Sequence, residues 1–269
     1  MEWFPIRHEV TGSNSAVIGG NLVLLDGVDP NWRALYNISS APGTFPPLYH
    51  WDQYGINKEI GRRGGEWKET NLMVPAKTGF CTIQMGQNAI VISGGRVHPC
   101  VDYQCNDSSL LTGSDDWGKL STLATKCTTL PGASGLSATE HLPDLYDGRM
   151  FHACGTYSYE GKTKLIVAGG LDEIGEEMGT TETFSEGDAN WVESGNLLAP
   201  AAFLKGGTIG NTFYVVGGLV GRGAEEHADA WIYEFNGQLW EPKARMPDGR
   251  CGHGVVAVPL KYFDAFCKL

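Results

Sequence analysis

The chain has 269 residues, 42% hydrophobic and 19% charged, with a formal net charge of −11. A single domain of this size can bury a large core. The acidity argues against nucleic acid or an anionic membrane as partners, because both demand clustered Lys and Arg. No apolar run reaches the roughly 18 residues that a bilayer span needs. Thirty-seven glycines, many short apolar runs and no helical periodicity point to an all-β class.

Met1 is followed by EWFPIRHEV, with neither a basic nor an apolar leader region, so no signal peptide is expected. Residues 14–27 read NSAVIGGNLVLLDG, two apolar runs joined by Gly19-Gly20-Asn21. That is hairpin chemistry, since Gly and Asn tolerate positive φ. Residues 8–27 are therefore expected to form two strands, ending at Asp26-Gly27. A surplus rich in aromatics and Pro follows, NWRALYNISSAPGTFPPLYHW, before Ile60 and, seven residues on, Trp67.

The next segment, TGFCTIQMGQNAIVISGG, repeats strand, turn and strand up to the pair Gly94-Gly95. Leu110 lies 15 residues after Gly95, and Trp117 seven after Leu110. Residues 118–147, rich in Ser, Thr, Gly and Ala, are expected to be a surface excursion, with a degenerate extra repeat as the competing view. From Arg149 the pattern returns: RMFHACGTYSYEGKTKLIVAGG ends at Gly169-Gly170, with Phe184 14 residues on and Trp191 seven after that. AAFLKGGTIGNTFYVVGG then ends at Gly217-Gly218, followed by Tyr233 and, seven later, Trp240. An aromatic and a Trp seven apart cannot share one face of a straight strand, so they are expected on two strands joined by a turn. The tail from Cys251 reads as a strand, a turn and a second strand. Trp3 stands 24 residues before Gly27, close to the 27 from Trp191 to Gly218, and marks a closing strand.

Glycine pair, spaced aromatic and then Trp resembles the kelch repeat. The resemblance rests on Gly94, Gly95, Gly169, Gly170, Gly217 and Gly218, less securely on Asp26-Gly27, and on Trp67, Trp117, Trp191 and Trp240. It implies an all-β, kelch-type β-propeller over 1–269, with blades at about 8–75, 77–147, 149–200 and 201–247. Terminal strands at 1–7 and 250–269 would share a partial fifth blade. The alternative is a fragment of a six-bladed propeller, the usual count for the family. Such folds carry many unrelated activities.

The seven histidines, His8, His50, His98, His141, His152, His227 and His253, show no HxH or HxxxH pairing, so no metal is expected. His152 and His253 precede first strands in matched places and read as packing residues, as Arg149 and Arg250 read as lead-in caps. The acidic run Asp172, Glu173, Glu176, Glu177 lacks a calcium-loop order and reads as a solvated loop. Cys81 and Cys154 fall within first strands, where a buried free thiol is normal. Cys100 with Cys105, and Cys251 with Cys267, are candidate bridges in an oxidising compartment. The cytoplasm is the default location. The Cys pairs and the acceptors Asn37-Ile-Ser39 and Asn106-Asp-Ser108 would suit an extracellular one.

The expected function is a protein-interaction scaffold without catalytic residues or cofactor. Its partner, another protein, would bind propeller loops presenting Arg96, His98, Asp172, Glu173, Arg222, Glu225 and Glu226. The alternative is a propeller enzyme, a copper oxidase of the galactose oxidase type or a lyase, which would need clustered titratable groups with perturbed pKa values.

Overall fold

A computed structural model describes residues 14–18, 21–25, 48–51, 67–70, 77–86, 89–97, 124–128, 138–221 and 226–257. Every described element is a strand. No helix among the described residues is long and apolar enough to cross a membrane.

Four antiparallel meanders of four strands follow one another along the chain. The first is β1 (Asn14–Ile18), β2 (Asn21–Leu25), β3 (Leu48–Trp51) and β4 (Trp67–Thr70). Next, β5 (Lys77–Thr78) pairs with β8 (Arg96–Val97) beside the second meander, β6 (Cys81–Met85), β7 (Ala89–Ser93), β9 (Ala124–Thr128) and β10 (Ala138–Leu142). The third comprises β11 (Ala153–Tyr159), β12 (Lys162–Ala168), β13 (Thr181–Ser185) and β14 (Val192–Ser194). The fourth comprises β15 (Lys205–Ile209), β16 (Thr212–Val216), β19 (Trp231–Phe235) and β20 (Trp240–Arg245), with β17 (Leu219–Val220) paired to β18 (His227–Ala228) after its glycine pair.

The chain divides into two compact units. One holds Met1–Phe151, Asp172–Glu176 and Ala189–Trp191; the other holds His152–Leu171, Glu177–Asp188 and Val192–Leu269.

Register explains the repeat. Four residues before each glycine pair, or before Asp26-Gly27 in the first repeat, the second strand carries Leu22, Ile90, Leu165 or Phe213. Their partners on the third strands are Trp51, Cys127, Phe184 and Phe235. Trp67 pairs with Trp51, Thr139 with Cys127, and Trp240 with Phe235, while Trp191 directly precedes β14. Each sheet therefore carries one cross-strand row, aromatic in three sheets.

The second sheet is the exception, and here the sequence reading needs correction. Its outer strands are β9 and β10, inside the segment 118–147 expected to be a surface excursion. Leu110 and Trp117 lie outside the described residues, and the row positions assigned to them belong to Cys127 and Thr139. Fourth strands such as β14 and β20 face solvent and need little apolar sequence, and a third strand can be polar even where it is buried, as TETFS of β13 is. β20 is exposed at every residue after Trp240. ATKCT and ATEHL therefore carry no strand signal strong enough to read, whereas β7, AIVIS, is buried from Ile90 to Ser93.

Three smaller corrections follow. The third strand of the first sheet is β3, within the Pro-rich surplus, not the stretch around Ile60. In the fourth sheet Phe235, not Tyr233, occupies the row: it pairs with both Phe213 and Trp240, while Tyr233 stands opposite Val215 and Pro242. Residues 253–257 form no strand, since no described segment pairs with them; their expected hairpin partner, like Trp3, lies outside the described residues.

The third and fourth sheets enclose a core of Ala153, Tyr157, Ile166, Ala168, Leu204, Phe213, Val215, Phe235 and Trp240, among others. Gly155 and Gly206 on the first strands leave room for the Phe213 ring, which a Cβ at either position would strike. Trp240 is 4% exposed; its ring lies 5.1 Å from Phe235 and 6.1 Å from Phe213, and Nε1–H donates to Thr181 Oγ1 at 2.9 Å. The indole thus combines large apolar burial with a satisfied polar edge. Trp191 does likewise, donating to Pro143 O at 2.9 Å. First strands are joined by Thr208, whose Oγ1–H donates to Thr156 O at 2.7 Å and accepts Thr156 N–H at 3.2 Å.

The cysteine expectations change. Cys81 and Cys154 are disulfide-bonded rather than free thiols. Cys251 is free and exposed, so it does not bridge to Cys267. Spacing along the sequence is blind to such pairing, because cysteines meet through sheet packing rather than through sequence proximity.

Two outcomes are expected in denaturant titrations. Trp240→Ala should cost roughly 3–5 kcal/mol through the cavity it leaves, and Gly217→Val about 2–6 kcal/mol through backbone strain and overlap with the Arg250 carbonyl. Parent-like midpoints for both would remove the packing account. Ala124 is wholly buried on β9, so Ala124→Asp should lose roughly 3 kcal/mol or more. A neutral result there would return residues 118–147 to a surface excursion.

Candidate functional site

The lead-ins to the first strands concentrate unusual backbone. Two residues ahead of β6, β11 and β15 stand Gly79, Phe151 and Phe203, at φ of 67°, 54° and 52°; Gly252 matches them in the last repeat at 62°. Phenylalanine rarely adopts this left-handed region, and holding it there costs of order 1–3 kcal/mol. Backbone bonds stabilise it: Phe151 N–H donates to Gly79 O at 2.7 Å, and Gly252 N–H to Phe203 O at 3.0 Å.

The glycine pairs complete the junction. The second glycine donates its N–H to a carbonyl of the following lead-in: Gly95 to Arg149 at 2.7 Å, Gly170 to Ala201 at 2.9 Å and Gly218 to Arg250 at 2.8 Å. The matched placement of Arg149 and Arg250 thus reflects a backbone role, which Ala201 performs equally well. Their side chains diverge: Arg149 is wholly buried, Arg250 exposed.

Phe80 and Leu204, each just before a first strand, act as wedges, with His152 in the same place before β11 and His253 in the matching place after Gly252. Phe80 crowds Gly95, and Leu204 crowds Gly169 and Gly218. His253 does the same, its Cε1 lying 3.0 Å from where a Gly217 Cβ would stand. Packing is thus the role of His253, as expected, but both its ring nitrogens are buried without a hydrogen-bond partner. Burial, then the charges of Arg250 and Lys205, push its pKa below the ordinary histidine value. Lys205, the first residue of β15, pairs with Val216 next to Gly217; burial lowers its pKa too. The equivalent residues are Cys81 and Ala153. Lys205, Arg250 and His253 therefore gather round Gly217, basic at three construction positions.

The loop residues read from sequence are dispersed. Arg96 lies on β8 with its backbone paired to Thr78. His98, Arg222 and Glu225 lie outside the described residues. Glu226 is exposed ahead of β18. Asp172 folds its own loop: Oδ1 accepts the N–H of Ile174 at 3.0 Å and of Glu176 at 2.8 Å, and Leu171 bridges to Glu177. Glu173 is exposed there beside Ile174, which is 82% exposed. Among the described residues no group of three or more His, Cys, Asp and Glu is placed to hold a metal ion. The basic trio was visible only in part from the sequence. Aligning R-x-x-H at 149–152 with 250–253 marks Arg250 and His253, and reading across the repeats exposes Lys205 where others carry Cys or Ala.

No protein-family profile matches the chain, and no curated protein does. Among solved structures it is similar to that of YjhT, with a TM-score of 0.62 and 13% identity over 90% of this chain and 72% of the other. At that identity the likeness speaks to the fold alone.

Because the folded state disfavours protonated His253, the unfolded chain binds the extra proton, and stability falls as pH drops below the ordinary value of 6.5. Replacing the imidazole with the side chain that Leu204 carries at the equivalent position, His253→Leu, should flatten this fall in melting temperature between about pH 7.5 and pH 5. Parallel curves for parent and variant would refute the buried-imidazole account.

Proposed function

We propose that the four sheets are successive blades of a kelch-type β-propeller that serves as a protein-interaction scaffold. The chain-order meanders, the glycine pairs with matching carbonyl acceptors and the cross-strand row support the propeller reading. One observation carries the scaffold reading. Repeat-equivalent residues serve sheet construction, whereas the 172–176 loop is folded by the hydrogen bonds of Asp172 and presents an exposed apolar residue. A preorganised loop binds without the ordering cost that a floppy one incurs. Asp172 imposes the conformation, and Ile174 and Glu173 form the contact surface, an apolar point with an acidic flank suited to a partner segment with an apolar residue beside a basic one. Glu226, on a separate hairpin, adds acidic surface.

The test uses the full chain. Partners retained by the parent in affinity purification are purified and titrated against the parent and a Glu173→Lys, Ile174→Ser double variant. The expected outcome is at least about a tenfold loss of affinity with an unchanged melting temperature. Equal affinities would place the binding face elsewhere.

A further inference from the structure

We propose that Lys205, Arg250 and His253 form a binding site for an oxyanion, the carboxylate or phosphate group of a small ligand. The inference is independent of the loop-binding reading, since it concerns the first-strand lead-in of the last repeat rather than the 172–176 loop.

The geometry converges on one backbone point. Lys205 pairs with Val216, the neighbour of Gly217; the Arg250 carbonyl accepts Gly218 N–H at 2.8 Å; His253 Cε1 packs against Gly217. The Gly252 bond to Phe203 at 3.0 Å fixes the segment that carries both Arg250 and His253. Three cationic or protonatable groups are thus held by backbone bonds rather than by an acid. Among the described residues none of the three makes an ion pair or side-chain hydrogen bond. The charged groups acting on His253, among the described residues, are Arg250 and Lys205.

Partly burying an ammonium and an imidazole without a partner is unfavourable. Cys81 or Ala153 stands at the Lys205 position elsewhere, and Phe80, His152 or Leu204 at the His253 position, so no sister repeat places a lysine and a histidine together at such a junction. An oxyanion resolves the conflict. Arg250 supplies forked N–H donors and Lys205 a point charge, and the bound negative charge offsets the cost of protonating His253 beside them.

The experiment follows melting of the full chain at about neutral pH and constant ionic strength, with chloride replaced stepwise by phosphate, sulfate or acetate. An oxyanion should raise the melting temperature of the parent in a saturable way. A response to phosphate and sulfate marks a phosphate-type ligand; a response to acetate marks a carboxylate. Arg250→Gln and Lys205→Gln should each weaken the apparent affinity about tenfold, while Lys162→Gln, exposed on β12, should respond like the parent. Arg250 is exposed, so its variant decides the matter if Lys205→Gln folds poorly. As a second readout, the anion should move the His253 imidazole resonance titration to higher pH in the parent and not in Arg250→Gln. No shift beyond chloride in the parent, or equal responses in parent and Arg250→Gln, would overturn the proposal.

Discussion

The hydrogen bond from the second glycine of each pair to a lead-in carbonyl is the constraint on which the rest depends. It requires backbone that turns left-handed twice in succession, at φ of 61° and 86° for Gly94 and Gly95, 66° and 106° for Gly169 and Gly170, and 58° and 119° for Gly217 and Gly218. Only glycine takes up such backbone without steric cost. Once it is formed, the second strand ends at a set place, and the lead-in of the next first strand is held against it. The residue before the first strand can then fill the space beside the glycines, as Phe80 does beside Gly95 and Leu204 beside Gly169 and Gly218.

This backbone bond frees the side chain that supplies the carbonyl. Arg149, Ala201 and Arg250 all accept the glycine N–H, yet one is buried and another exposed. A position whose structural duty is carried by its backbone is open to other uses. Arg250 is such a position, beside Lys205 and His253, where side chains that pack or stay small elsewhere have become basic. The same separation of duties appears in the 172–176 loop, where Asp172 shapes the backbone and leaves Glu173 and Ile174 exposed.

The cross-strand row is the second organising feature, and it adapts where the glycine junction does not. Trp51 and Trp67, Phe235 and Trp240 share register, while the second sheet places Cys127 and Thr139 there. Aromatic pairing across strands contributes about 0.5–1.5 kcal/mol beyond area burial, a margin that a sheet with another route to packing can forgo. In the fourth sheet the row falls on Phe235 rather than Tyr233, since Phe235 is the residue that pairs with both Phe213 and Trp240.

By itself the sequence determined the all-β class, the position of every second strand that ends in a glycine pair, and the placement of Trp67 and Trp240 at the head of a fourth strand. These signals are local: glycine is required where the backbone turns left-handed, and buried second strands such as AIVIS must be apolar on both faces. Tertiary structure alone decided the outer strands of the second sheet, the disulfide bonding of Cys81 and Cys154, and the gathering of Lys205, Arg250 and His253. Third and fourth strands can be polar, whether buried like TETFS or exposed like β20, so ATKCT and ATEHL read like loop. Basic residues tens of positions apart are brought into proximity by strand register and junction geometry, which the spacing of no one segment records.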